Sequence, residues 1–373
     1  MALCGEGSPI TFNINVEHHQ LLSRLECLRY VTADGQGGVA VPDRIREAAV
    51  SEIGREISQI LSKVQTLLAE EWKAVGKAGS KTGHAGSQMV HLRLILSGSE
   101  LSLIPFEMAI APQAFPGEAL ELALQSHIPV ALTREIRRNR PPLLRWDHTI
   151  KPTILFISAA PAGLDIPLQS HVNALRSAVE PWVRWPKRTN KDKPSEPGPH
   201  EIDRQRLPLI KERLRLLPNA SIESIYEICS KQQFTHVHIL AHGDYSDVGG
   251  ERRFGLALCK HGNPALKEVV SGKRLAEALQ AEGKNGSCRS QPLMVTLMTC
   301  DSGNPGSVLV PGGSIAHDLH AAGIPWVFAS QFPLTKAGSV RITSGLYPRI
   351  LRGEDPRQAL YEVRRKLHMS AER

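Results

Sequence analysis

The chain has 373 residues, a length that allows one large domain or two of moderate size. Its composition, 41% hydrophobic and 22% charged, is that of a globular protein, and no apolar run approaches membrane-spanning length, so we expect no membrane association. The formal net charge of +8 suggests nucleic-acid binding, but the basic segments 134–145 and 204–215 contain no aromatic residues, and no nucleic-acid-binding motif is present. We therefore expect a basic surface or an acidic protein partner.

The cysteine pattern indicates a reducing compartment. The chain contains six cysteines, which are Cys4, Cys27, Cys229, Cys259, Cys288 and Cys300. They form neither a C-x-x-C pair nor the dense spacing of a disulfide framework, so we expect free thiols. The first thirty residues lack a signal-peptide pattern, and together these features predict a cytoplasmic location.

The first part of the chain is predicted to alternate strands and helices. Residues 9–16 alternate apolar and polar side chains, as a half-buried strand does, and 20–30 are interpreted as a short helix or an irregular continuation. Apolar residues at helical spacing predict a long helix over 43–72, packed on a sheet. The Gly- and Lys-rich segment 76–87 lacks the spacing of a phosphate-binding loop, so we expect a connector there.

The remaining elements predict an α/β fold. Short apolar and β-branched runs predict strands at 89–96, 128–133, 153–158, 234–241, 292–299 and 324–332, and 102–107 is expected to continue the core. Helical spacing and capping residues predict helices at 169–179, 221–232, 273–281, 314–322, 336–351 and 356–368. Strands that alternate with helices form a mostly parallel sheet covered on both faces.

The chain divides near residue 150. Residues 1–150 are predicted to form an N-terminal α/β region without an obvious reactive pair, and residues 151–373 a second domain. Within the second domain, segment 186–201 is rich in Pro, Lys and Gly and is expected to be an exposed loop. Such a loop is either a site of proteolytic processing or an inert surface insertion.

Two predicted strands end in reactive side chains beside glycine. The buried run 292–299 ends at Cys300, followed by the turn-forming Asp301, Ser302 and Gly303. The run 234–241 ends at His242 and Gly243, 58 residues before the cysteine. Because open α/β sheets place their chemistry at the carboxyl ends of the strands, we expect the two side chains to meet across the sheet.

The pair predicts a catalytic dyad. A nucleophilic cysteine needs a positive neighbour or a general base, and histidine is the usual base. Taken alone, Cys300 could be a small core residue and His242 a satisfied buried imidazole. Two such residues, each at a strand end with glycine nearby, favour catalysis, and their order and spacing fit the caspase arrangement.

At these residues the chain resembles a known family. His-Gly-Asp after one strand, Thr-Cys-Asp-Ser-Gly after the next core strand and a Gly-Gly-Ser helix start are similar to the CHAT proteases, caspase-like relatives of separase, legumain and the metacaspases. Further similar segments, in the same order, are Ile104-Pro-Phe-Glu107, 254–258, 323–330 and 353–359. The resemblance covers roughly 89–368 and implies a caspase-like sheet flanked by helices, with a pseudo-caspase or regulatory N-terminal half.

The resemblance implies peptide-bond hydrolysis. Cys300 would attack the scissile carbonyl while His242 accepts the thiol proton and later protonates the leaving amine. The backbone N–H groups of Gly243 and Cys300 would form the oxyanion hole. Asp244 and Asp301 are candidates for orienting the imidazole or binding a basic substrate residue, although solvated loop carboxylates are the more common outcome.

Substrate preference depends on two positions. Legumain and the metacaspases carry an acid two residues before the cysteine, where this chain has Met298. Separase has its acid in a motif after the following strand, where this chain has Gln331 and its neighbours and no acid. Both departures weaken the expectation of an Arg or Lys at P1 and allow a more apolar residue.

Three alternatives remain open from the residues. His236, His238 and His242 suggest a metal hydrolase, yet no further carboxylate and histidine complete a ligand set, so no metal or other cofactor is expected. A non-catalytic caspase-like interaction module would keep the fold without the chemistry. An amidase or acyl transferase could use the same dyad on a small substrate.

The partners implied by the protease interpretation are a protein substrate and a separate activator or sensor, in prokaryotic defence or regulated cell death.

Overall fold

The computed structural model describes residues 17, 20, 23–25, 28, 43–63, 89–95, 101, 104–113, 115, 117, 120–126, 129–135, 151–183, 207–248, 251–282, 291–299, 314–332 and 334–371. The chain forms two compact units. The first unit comprises Met1–Arg137 and Pro356–Arg373, and the second comprises Arg138–Asp355.

The described residues contain both helices and strands. The α-helices in these residues include α1 (Asp43–Ser62), α2 (Leu168–Val179), α3 (Ile222–Lys231), α4 (Gly272–Leu279), α5 (Ile315–Ala321), α6 (Lys336–Leu351) and α7 (Pro356–Ala371). The strands are β1 (Val90–Ile95), β2 (Val130–Glu135), β3 (Ile154–Ser158), β4 (Leu214–Leu217), β5 (His236–Leu240), β6 (His242–Val248), β7 (Glu251–Lys260), β8 (Asn263–Val270), β9 (Met294–Met298) and β10 (Trp326–Phe328). None of these helices combines the length and the apolarity needed to cross a membrane.

The first unit contains a parallel pair of strands, β1 and β2, and the returning helix α7. The Arg134 guanidinium on β2 binds the Glu107 carboxylate through two hydrogen bonds of 2.9 and 2.7 Å and donates to the Ile104 carbonyl at 2.8 Å. Burial raises the pKa of the Glu107 carboxyl, but the charge and hydrogen bonds of Arg134, together with the charge of Arg364, outweigh it, and the pKa is lowered. The Ile104–Glu107 segment therefore anchors β2 within this unit.

The second unit is built on a five-stranded parallel sheet in the order β10-β9-β5-β3-β4. Its central strands are fully buried because alternate residues pack against helices on opposite faces. One face packs on α3, α4 and α5 through apolar side chains that include Ile157, Ile239 and Leu297. The other face packs on α2 and α6, where Phe156, His238 and Tyr347 are in ring contact.

A second, antiparallel sheet in the order β6-β7-β8 continues from the end of β5. The Cys259 N–H on β7 donates to the Ala220 carbonyl at 2.9 Å. The Ala162 N–H, in the loop after β3, donates to the Ala265 carbonyl on β8 at 3.1 Å. The antiparallel sheet is thus hydrogen-bonded to two connecting segments of the same unit.

The mostly parallel sheet flanked by helices confirms the predicted α/β fold class. Two details of the prediction were wrong. The run 324–332 forms a strand only at Trp326–Phe328, because the chain bends at 331–332. His242 was expected in a loop, whereas it begins strand β6.

Some predicted segments are not covered by the structure. The segments 9–16, 64–72, 76–87, 186–201 and 283–290 lie outside the described residues. The domain boundary near 150 stays a prediction, and the compact units differ from it in assigning α7 to the first unit.

Candidate active site

The sheet topology brings the ends of the two reactive strands together. Strands β5 and β9 are parallel neighbours, and Leu240 at the end of one pairs in register with Met298 at the end of the other. His242 follows Leu240 by two residues, and Cys300 follows Met298 by two. Cys300 and Asp301 themselves lie outside the described residues, which end here at the buried Thr299. The chain therefore leads to both dyad candidates from paired positions at one edge of the sheet.

The imidazole of His242 is held by a backbone carbonyl. Its Nε2 lies 3.1 Å from the carbonyl oxygen of Asp165, in the loop between β3 and α2. Because a carbonyl can only accept, Nε2 carries a proton, and Nδ1 is the nitrogen left to exchange one. The ring is partly exposed at the sheet edge. This arrangement orients a histidine whose Nδ1 is available for proton transfer.

The loop that supplies this carbonyl is itself fixed. The Leu164 N–H donates to the Pro161 carbonyl at 3.0 Å, which closes a turn, and Gly163 has a φ of +86°, a conformation that favours glycine. The Asp165 side chain forms a 2.7 Å ion pair with Lys336 at the start of α6. The Lys336 ammonium lowers the pKa of the Asp165 carboxyl.

Sequence reasoning missed Asp165. Its contribution comes from the main chain, which any residue type could supply, so only the three-dimensional placement of the loop could reveal it. The signals that could have drawn attention to the loop are Pro161 and Gly163, which directly follow the predicted strand that ends at Ser158.

Gly243 and Asp244 lie in strand β6, next to the histidine. Gly243 pairs in register with Leu256 of β7. The Asp244 carboxylate accepts from the Tyr245 N–H at 2.7 Å and forms an ion pair with Lys267 of β8. These contacts hold the Asp244 carboxylate against the antiparallel sheet. Its proposed role toward the imidazole or the substrate stays a hypothesis.

The two specificity positions lie at the same edge of the sheet. Met298 is the last residue of β9, and its side chain is 6% exposed. Gln331 follows β10, the neighbour of β9, by three residues and is half-buried. The sheet thus brings Met298 and Gln331 to the edge where His242 lies.

The histidines upstream of His242 belong to the interior of the sheet. The ring of His238 is 0% exposed, and its two nitrogens lie within hydrogen-bond distance of His171 and Tyr347, at 3.0 and 3.1 Å. Burial lowers the pKa of His236 to about 4 and, with the nearby His171, lowers that of His238 as well. These contacts already use the lone pair that a metal ion would need from His238.

A comparison with protein families finds one that matches most of the chain. A family model described as "CHAT domain" matches residues 51–373, which is most of the chain. The match includes His242, Asp165 and the segment that contains Cys300. A search of curated proteins finds no match to this chain.

Proposed function

Because the chain belongs to the CHAT-domain family, which is related to the caspase-like proteases, we propose that it is a cysteine endopeptidase. His242 and Cys300 form the proposed dyad. The observation that carries the proposal is the Leu240–Met298 register, which sets both residues two positions beyond a paired strand end.

The geometry of His242 supports a specific order of proton transfers. With Nε2–H donated to the Asp165 carbonyl, Nδ1 is the nitrogen that takes the proton of the Cys300 thiol. The thiolate attacks the scissile carbonyl carbon, and the oxyanion forms toward the N–H groups of Gly243 and Cys300. Nδ1–H then protonates the leaving amine, and water hydrolyses the thioester, which returns the proton to the thiol.

We propose a protein substrate with an apolar or uncharged residue at P1. The two positions where relatives carry an acid for a basic P1 residue are Met298 and Gln331 in this chain. Neither side chain carries the negative charge that an ion pair with an Arg or Lys side chain requires. The family resemblance further suggests control by a separate activator or sensor, in prokaryotic defence or regulated cell death.

A cleavage experiment tests the activity. The purified chain is incubated with a mixed peptide library and with proteins encoded beside its gene, and cleavage products are identified by mass spectrometry. We expect cleavage by the wild-type chain that is lost in Cys300→Ala and in His242→Ala, with mainly apolar residues at P1. Cys259→Ala is the matched control, because Cys259 is buried in β7 and burial raises the pKa of its thiol.

Three results would contradict the proposal. Cleavage that persists in Cys300→Ala would exclude this cysteine as the nucleophile. Absence of cleavage by every variant, with neighbouring gene products added as activators, would favour a non-catalytic interaction module. Turnover of small amides alone, without cleavage of peptides, would favour the amidase or acyl-transferase alternative.

A further inference from the structure

Helix α6 reaches across the face of the sheet to both strands of the proposed dyad. Tyr347 on this helix is fully buried, and its ring packs edge-on against the ring of His238 at a centroid distance of 5.3 Å. Its hydroxyl donates to Thr296 Oγ1 at 3.2 Å and lies 3.1 Å from His238 Nδ1. A single hydroxyl on α6 thus contacts side chains of both β5 and β9.

The two contacted residues face each other in the sheet. His238 and Thr296 are register partners, and both are 0% exposed. Each lies four residues before a dyad candidate, His238 before His242 and Thr296 before Cys300. At roughly 3.3 Å per residue, this contact is about 13 Å from the proposed site along both strands.

The donation from Tyr347 sets the direction of the neighbouring hydrogen bonds. The hydroxyl proton of Tyr347 goes to Thr296, so His238 Nδ1–H donates to the Tyr347 oxygen. Neutral His238 then accepts at Nε2 from His171 Nδ1–H on α2, at 3.0 Å. The Ser339 hydroxyl on α6 lies 3.0 Å from the remaining His171 nitrogen. The cluster therefore joins α2 and α6 to β5 and β9 through buried polar side chains.

We propose that Tyr347 is a positioning residue of the dyad, whose hydroxyl fixes strands β5 and β9 in the register that pairs Leu240 with Met298, two residues before His242 and Cys300. The inference rests on the proposed peptidase function. Removing the hydroxyl would leave His238 Nδ1–H without an acceptor inside the sheet, so the strand would shift to find one. A displacement of about 1 Å between reacting groups can slow a reaction by roughly a hundredfold, so a small shift at this contact affects the dyad.

The test measures the reactivity of Cys300 and needs no substrate. The intact chain is alkylated with iodoacetamide from about pH 5 to about pH 9, a range that spans the ordinary titration of a thiol. Mass spectrometry of the peptide that contains Cys300 gives the rate at each pH. His242→Ala shows how far the midpoint of this profile moves when the base is removed.

We expect Tyr347→Phe to move the midpoint in the same direction as His242→Ala and to slow alkylation near neutral pH by about tenfold. Tyr361→Phe is the matched control, because it removes another tyrosine hydroxyl that donates within a buried site, to the Gln125 carbonyl of the first unit. This control should lower the melting temperature without moving the midpoint.

A second variant keeps the test informative if Tyr347→Phe does not fold. Thr296→Val removes the Tyr347–Thr296 hydrogen bond from the strand side and leaves the Tyr347 hydroxyl as the acceptor for His238, so it should shift the midpoint in the same direction as Tyr347→Phe and by less. The double variant should shift the midpoint no further than Tyr347→Phe alone, because that change already removes the shared interaction.

Two outcomes overturn the inference in distinguishable ways. If His242→Ala moves the midpoint while Tyr347→Phe, like Tyr361→Phe, leaves it unchanged, the positioning role is wrong and the proposed dyad is supported. If His242→Ala leaves the profile unchanged, both the dyad and the positioning role are wrong.

Discussion

At the scale of single residues, the backbone of Asp165 matters more to the proposed chemistry than its side chain. The carbonyl oxygen binds His242, whereas the exposed carboxylate forms a surface ion pair with Lys336. Exposed ion pairs contribute little to stability, so the carbonyl must be placed mainly by the turn at Pro161–Leu164. Gly163, at φ +86°, is the residue of that turn that another amino acid fits least well.

Replacement of Gly163 by alanine tests this dependence. No atom lies within 4 Å of the added Cβ, so the cost is backbone strain of about 1 kcal/mol. Gly262, in the turn between β7 and β8, has φ +75° and equally open surroundings, so Gly262→Ala is a matched control. We expect both variants to lose similar stability in urea, and only Gly163→Ala to lose peptidase activity as well. Equal activity in the two variants would contradict the proposed role of the turn.

At the scale of elements, the face of the sheet beneath α2 and α6 is built around neutral histidines. Burial lowers the pKa of His171 to about 4, and His238 is lowered by burial and by that same neighbour. A charged ring would place a second N–H against a donor in the cluster. The contact between the helices and strands β5 and β9 therefore depends on deprotonated imidazoles.

This dependence predicts how stability changes with pH. Because the pKa of His171 and of His236 is about 4 in the folded protein and about 6.5 when unfolded, the unfolded chain binds more protons between these values. Stability is therefore complete above about pH 6.5 and is lost as the pH falls toward 4, by about 1 kcal/mol for each buried histidine at pH 5.5. The urea midpoint of the second unit should fall between about pH 7.5 and pH 5.5, before most carboxylates titrate.

His261→Gln is the control for this titration, because the side chain of His261 is 69% exposed. Its urea midpoint should show the same dependence on pH as the wild-type chain. A wild-type midpoint that stays constant across this range would contradict the account of the neutral histidines.

The elements that sequence reasoning predicted and those it missed differ in a physical way. Strands β5 and β9 are buried along their whole length and rich in apolar side chains, and α6 begins at a capping Thr335, so the sequence predicted both strands and the start of the helix. Strand β8 was missed because its first residues are exposed and carry no apolar alternation, and β4 because it is short and contains the charged Arg215.

For a similar reason, the sequence predicted only part of the candidate site. The two reactive residues stand out because glycine lies beside each at a strand end. The Asp165 carbonyl and the Tyr347 hydroxyl act through tertiary contacts that join residues more than fifty positions apart, and these contacts leave no local pattern.

At the scale of the whole molecule, the chain leaves the first compact unit at residue 137 and returns to it with α7. This helix places Ala359, Tyr361 and Val363 in the core of the first unit, and its Arg357 lies 2.7 Å from His91 Nδ1 on β1. The sequence grouped the last helix with residues 151–373, and in the structure it belongs to the first compact unit. Loss of the C-terminal helix should therefore destabilise the first unit more than the second.

A chain shortened to end at Asp355 tests this assignment. We expect limited proteolysis, followed by mass spectrometry, to show new cuts within 43–62 and 90–135, because loss of α7 exposes their apolar contacts. The core strands β3, β5 and β9 should remain protected. A chain shortened only to His368 is the control, because it loses residues such as Met369, which is 58% exposed. New cuts confined to the second unit would contradict the assignment.

The central claim is that Cys300 is a nucleophile activated by His242. Labelling with a panel of peptidyl chloromethyl ketones that differ at P1 measures this directly, since the attacking sulfur displaces chloride and keeps the label as a thioether. The account predicts labelling of Cys300 by the probes with apolar P1 residues, which disappears in His242→Ala and persists in Cys259→Ala. Labelling of Cys300 that is equally fast without His242, or labelling of another cysteine in its place, would contradict it.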